Sequence, residues 1–341
     1  MFEMFFFKET QILNTYDKRV GVVVIGRNEG ERLVNCLNSL ILQSNQIVYV
    51  DSNSTDQSVS MSQGKGVEVV VLDISKPFTA ARARNEGFKR LLETHPHVEY
   101  VQFVDGDCEV NPNWLSSAVA FLDQNSAVAA VCGRRRERYP DQSIYNKICD
   151  VEWNTPIGEA KACGGDALFR VSPLAAQNGY NPTLIAGEEP DLCLRLRAAG
   201  WKIWRIDAEM TLHDAAMLRF GQWWKRSVRT GYAFAQGVDL HGHPPERHWV
   251  AESRRALIWG GILPLLILLC LAVSPAVAFA LLMLYLLQVM RIALKNNKNN
   301  IERPWSMAYY LVLGKLPEFL GQMKFLKGLL TRKGSKLIEY K

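Results

Sequence analysis

The chain has 341 residues, 48% hydrophobic and 22% charged, with a formal net charge of +6, a length that holds one large domain or two modest ones. Its basic residues gather after residue 195, beside a long apolar run, instead of forming a stripe; this argues for contact with anionic lipid headgroups and against a nucleic-acid partner. The seven cysteines (36, 108, 132, 149, 163, 193 and 270) are odd in number and show no CxxC spacing, which argues against a disulfide framework or a zinc site and fits a reducing compartment.

The first ten residues, MFEMFFFKET, carry an apolar patch too short and wrongly flanked for a signal peptide. Residues 20–25 (VGVVVI) form a β-branched run, the pattern of a strand buried in a parallel sheet. A polar turn over residues 26–30 follows, then a helix with Leu33, Leu37, Leu40 and Ile41 on one face. Residues 47–50 (IVYV) predict a second strand ending at Asp51, and residues 52–56 offer several helix caps. A third strand over 67–72, a helix over 79–92 and a fourth strand over 98–104, ending at Asp105, complete an alternating series. Such alternation predicts an α/β, Rossmann-like fold, a mostly parallel sheet flanked by helices. Its polar and acidic residues collect at the carboxyl ends of the strands, where such sheets bind ligands.

Farther along, a helix over 114–122 and a strand over 128–132 lead into a basic stretch, 134–157, expected to be irregular. Residues 160–215 carry a glycine-rich turn, an acidic cluster, a helix over 191–199 and a final strand before His213. Residues 256–290 then run without a single charge. One straight helix of that length would measure about 52 Å against a hydrocarbon core of about 30 Å, so Ser274-Pro275 is expected to divide it into a hairpin of two short helices. Arg254 and Arg255 before it, and Arg291, Lys295 and Lys298 after it, put both ends on the cytoplasmic side. Residues 305–330, apolar with interspersed Lys315, Glu318, Lys324 and Lys327, suggest an amphipathic helix lying in the membrane interface. The expected division is a catalytic domain over 1–235 and a membrane-associated helical region over 236–341.

Three places carry chemistry. Asp105-Gly106-Asp107, after an apolar strand, offers two carboxylates to one ligand, and hard oxygen ligands suit Mg²⁺ or Mn²⁺ beside phosphates. Gly187-Glu188-Glu189-Pro190-Asp191 puts three carboxylates at a helix start, more than capping needs, and a base that takes a proton from a hydroxyl is expected there. His213 follows the last strand.

In their order along the chain, VVVIGRNEG, VDSNSTDQS, ARARNEG, VDGD and GEEPDLCLRL resemble the motifs of inverting family 2 glycosyltransferases with the A-type nucleotide-sugar fold, over residues 20–235. The resemblance implies a nucleotide-sugar donor held by Arg27, Asn28 and Glu29 in the first turn, by Asp51 at the base, by Arg84 and Asn85, and by Asp105 at the ribose. It implies Mg²⁺ or Mn²⁺ bound by Asp107, with Asp105 and His213 completing the site beside the diphosphate. Glu189 stands where the family keeps its catalytic base, commonly an aspartate, with Glu188 and Asp191 as rivals. Gly164, Gly165 and Asp166, after Cys163, are similar to the loop lining the sugar and acceptor pocket.

Gln222-Trp223-Trp224-Lys225-Arg226 partly resembles the Gln-x-x-Arg-Trp motif of processive polysaccharide synthases. Lys225 replaces its arginine and Arg226 its tryptophan, which speaks against processive polymerisation. An interfacial helix is the plainer reading, and Gln222, Trp223 and Arg226 are expected near the acceptor. The activity so implied is inverting transfer of a sugar, from UDP by the family's habit, to a hydroxyl of a membrane-linked glycan in cell-envelope or exopolysaccharide synthesis. Transfer directly to polyprenyl phosphate is the enzymatic alternative, and an inactive membrane scaffold is the alternative of another class. A dehydrogenase would want GxGxxG where the chain has GRNEG.

Overall fold

A computed structural model describes residues 16–331; the expectation for MFEMFFFKET lies outside them. The alternating series forms as read: β1 (Val20–Gly26), α1 (Glu31–Ile41), β2 (Ile47–Asp51), α2 (Ser58–Gly64), β3 (Glu68–Val71), α3 (Ala80–Thr94) and β4 (Tyr100–Asp105). The four strands lie side by side in the order β3-β2-β1-β4, all parallel. Both faces of this half-sheet are covered, so β1 and β2 bury nearly every residue, as expected of a parallel strand between helical layers.

Past β4 the sheet changes character. The chain continues through β5 (Cys108–Val110), α4 (Trp114–Gln124), β6 (Val128–Glu137), α5 (Ile144–Glu152), β7 (Gly158–Ala160), β8 (Ala167–Arg170), α6 (Val171–Ala176), α7 (Glu188–Ala198), β9 (Lys202–His213) and α8 (Phe220–His241). The strand β8 pairs antiparallel with both β4 and β6, and β9 pairs antiparallel with β5 and β7 and parallel with β6. The sheet is therefore parallel in its first half and mixed in its second. The basic stretch 134–157 is not irregular: β6 runs on through Glu137 and α5 follows. Register shifts between Cys132 and Arg135 interrupt the alternation there, and a bulge of this kind re-aims side chains.

The helix α8 runs unbroken through residue 235, the expected domain boundary. Beyond it come α9 (Val250–Leu257), a π-helical turn (Ile258–Ile262) and α10 (Leu263–Val273), which join into one rod, then α11 (Pro275–Lys298), α12 (Pro304–Leu313) and α13 (Lys315–Thr331). Ser274-Pro275 does divide the apolar run. Each arm has 24 residues, however, about 36 Å of helix and enough to cross a hydrocarbon core; the arms are longer than expected because helix continues into the charged flanks. The helix expected over 305–330 is two helices meeting at Gly314. α13 packs across α8, with Gly231 facing the Glu318 backbone and Gly321 facing Val228 and Tyr232, so closely that neither site has room for a Cβ.

Candidate active site

At the carboxyl edge of the sheet lies a cavity of about 800 Å³, bounded by the β1 turn, the ends of β4 and β9, the start of α7 and one face of α8. One wall is made by strand ends. Asp107 directly precedes β5, and Cys108 is paired with His213 at the end of β9, so the two side chains meet. Asp107 Oδ1 and His213 Nε2 are 3.3 Å apart, each residue only 6% exposed. On the other side of the ring, Nδ1 lies 3.7 Å from Glu137, which β6 pairs opposite His213. Trp153 packs edge-on against the imidazole at 4.7 Å. Burial and the neighbouring Arg135 charge lower the pKa of His213, which leaves the ring neutral with a lone pair to offer. A carboxylate and a neutral imidazole converging at a cavity wall fit a divalent cation such as Mn²⁺ or Mg²⁺.

The opposite wall is the first turn of α7. Glu188 and Glu189 both face Arg84, which is 2% exposed: its Nη1 lies 2.9 Å from Glu188 and 3.0 Å from Glu189, and its Nη2 donates to Asp105 at 2.9 Å. Arg84 thus ties the two walls together, with Tyr180 beneath its guanidinium. Burial would lower its pKa, but the charges of Glu189 and Asp105 prevail and hold it well above the usual value. Burial, reinforced by the Glu188 charge and opposed by Arg84, pushes the pKa of Glu189 up to about 7. A carboxyl poised there can exchange a proton with a hydroxyl near neutral pH.

Asp105 lies between two arginines, Arg84 and Arg135, the latter donating to its other oxygen at 3.2 Å. Arg135 stacks over Trp153 at 4.8 Å and approaches Asp166 at 3.4 Å. Gly165 sits against the Arg84 guanidinium, Asp105 and Glu189, where a Cβ would collide with the guanidinium.

The cavity also takes in Arg27, Asn28, Glu29, Arg226 and, beside Asp51, Ser52. Several expected site residues instead do local structural work. Asp51 is buried and accepts from Tyr49 and from the Ser54 hydroxyl and amide. Asn85 pins the backbone of Tyr180 from both sides. Asp191 turns away toward Arg195 and His241. Asp166 lies behind Asp105, accepting from its amide and from Thr211, and Gly164 is exposed. Gln222 caps α8, and Trp223 is buried among Tyr145 and Tyr310.

Sequence reasoning misses Arg135, Glu137 and Trp153, all in the stretch 134–157 expected to be irregular. It also misses the aromatic end of the cavity, where Trp249 lies on Gly187 and packs against Phe234 at 5.3 Å. On α8, Arg226, Arg229, Thr230, Ala233 and Phe234 recur at helical spacing along the cavity; that periodicity was the available signal.

The half-parallel α/β sheet, with its Asp-x-Asp turn and a carboxylate-bearing helix at its carboxyl edge, has the A-type nucleotide-sugar fold. Residues 21–174 match the family model described as Glycosyl transferase family 2. Among curated proteins it is 33% identical over 126 residues to a probable N-acetylgalactosaminyltransferase 7 of Caenorhabditis elegans, covering 33% of this chain and 20% of that protein. It is 26% identical over 177 residues to the O-antigen chain rhamnosyltransferase WbaN of Salmonella anatum, covering 47% and 54%. The chain thus spans about half the length, or less, of the curated relatives it matches. Among solved structures it shares its fold with a mannosyltransferase from Pyrobaculum calidifontis in complex with GDP-Man and Mn²⁺, with a TM-score of 0.60 at 17% identity, over 91% of this chain and 88% of that one.

Proposed function

We propose that the protein is a membrane-associated, inverting glycosyltransferase that moves a sugar from a nucleoside-diphosphate donor to an acceptor hydroxyl on a membrane-linked glycan. The observation that carries this reading is the two-walled cavity, with Asp107 and His213 on one side, Glu188 and Glu189 on the other and Arg84 between them. Asp107 and His213 would hold the divalent cation, which when bound supplies positive charge beside the leaving diphosphate. Arg27 and Asn28 lie at the end of β1, and we assign them to the donor nucleotide. Glu189 takes the proton from the attacking hydroxyl; attack from the side opposite the leaving group inverts the anomeric centre. Arg84 keeps Glu189 directed across the cavity while its own charge is shared with Glu188 and Asp105. The reading favours a UDP-sugar, and GDP-mannose is its first competitor because the Pyrobaculum relative was captured with GDP-Man. The apolar hairpin, whose two 24-residue arms carry Arg254, Arg255 and Arg291 just outside its uncharged stretch, supports anchoring with the catalytic domain on the cytoplasmic face.

The test is calorimetric titration of the full chain in detergent with UDP-, GDP- and TDP-sugars, with Mn²⁺ or with EDTA. Metal-dependent binding of one nucleotide class is expected. Absence of binding to all three by folded protein would favour the scaffold reading instead. Transfer directly to polyprenyl phosphate, the rival enzymatic reading, needs little base catalysis and predicts that Glu189→Gln leaves turnover nearly intact.

A further inference from the structure

Away from the catalytic cavity, a second hollow of about 350 Å³ opens beside the crossing of α8 and α13. Trp224, Val228, Leu320 and Met323 form its apolar walls, and Lys225, Lys324 and Lys327 stand at its rim. The three lysines are exposed, and their ammonium groups make no ion pair or hydrogen bond among the described residues. Lys315, on the same helix, differs: Glu318 neutralises it at 2.7 Å. Charge on α13 is therefore balanced near the crossing and unbalanced at the hollow.

The depth of the hollow follows from one hydrogen bond. Gln322 Nε2 donates to the Ser253 carbonyl at 2.9 Å, which puts the middle of α13 level with α9 just three residues before the uncharged run opens at Ala256. If the hairpin enters a bilayer, that level is the headgroup region, where tryptophan rings and lysine chains are favoured. The surface stays apolar beyond the hollow, with Leu326 and Leu329 about half exposed. An apolar trough topped by three unbalanced cations complements a molecule that is apolar along its length and anionic at its end. A free phosphate gains nothing from the apolar walls.

We propose that this groove binds one anionic phospholipid, its acyl chain along Trp224, Val228, Leu320 and Met323 and its phosphate among Lys225, Lys324 and Lys327. The site is separate from the donor cavity and does not depend on the transfer chemistry. It is tested on the full chain in neutral detergent micelles by following tryptophan fluorescence during titration with dibrominated phosphatidylglycerol or dibrominated phosphatidylcholine. Half-quenching is expected at an about tenfold lower mole fraction of the anionic lipid. The combined Lys225→Gln, Lys324→Gln and Lys327→Gln variant loses that preference, the matching Lys→Arg variant keeps it, and Trp224→Phe loses the tight component of quenching. Equal titrations for the two lipids, or a preference that survives Lys→Gln or Trp224→Phe, overturn the proposal.

Discussion

The two walls of the proposed donor cavity use the same functional group in opposite settings. On the strand wall, Asp105 lies between Arg84 and Arg135 while Asp107 faces a neutral imidazole. On the helix wall, Glu188 and Glu189 share the Arg84 guanidinium, and burial leaves Glu189 titrating near neutrality. Carboxylates at strand ends are held by register, through the pairing of Cys108 and Glu137 with His213. The carboxylates at the start of α7 are held by Arg84 reaching across and by Trp249 lying on Gly187. One arginine thus serves carboxylates in different settings: Asp105 lies between two guanidiniums, whereas burial and a second carboxylate beside it raise the pKa of Glu189.

The most severe way to break this comparison is Asp107→Ala. Turnover is expected to fall roughly 10³-fold, with donor binding no longer responding to Mn²⁺; steady-state kinetics with and without EDTA check it. Next is Glu189→Gln, which leaves donor affinity within about twofold but lowers turnover roughly 10²-fold. As the proposed base, Glu189 would work deprotonated, so the wild-type rate is expected to fall as pH drops below about 7 and to level off above it. Glu189→Gln flattens that limb in a pH–rate profile. A smaller effect sharpens the strand wall: Glu137→Gln removes the negative charge behind His213 and is expected to weaken Mn²⁺ affinity about tenfold, read by metal titration. The smallest probes the joint between the walls. Gly165→Ala drives a methyl group into Arg84 and should cost about 1–3 kcal/mol of stability, seen as a lower melting temperature.

Legibility in the sequence followed burial. β1, β2 and β4 are β-branched or aromatic runs closed in on both faces, so their composition announces them. The strands β5, β7 and β8 have three or four residues each, too few for any period to show. The end of β6 reads RRRE, and register shifts there send Arg134 to Asp150, Arg135 to the cavity and Arg136 to Glu209. No alternation survives, so the strand that supplies Arg135 and Glu137 looked like a loop. The site motifs were legible as positions but not as jobs. Asp105, Asp107, Glu188, Glu189 and His213 come together around one cavity, whereas Asp51, Asn85 and Gln222 spend their side chains on nearby backbone or hydroxyl groups. Such local bonds leave no trace in spacing.

The most direct test of the separation between walls is to measure donor affinity and turnover side by side in Asp107→Ala and Glu189→Gln, using whichever nucleotide sugar binds the wild type. The account predicts that Asp107→Ala loses Mn²⁺-dependent donor binding, while Glu189→Gln binds donor as the wild type does and fails to transfer it. Loss of binding in both variants, or full transfer by Glu189→Gln, would contradict it.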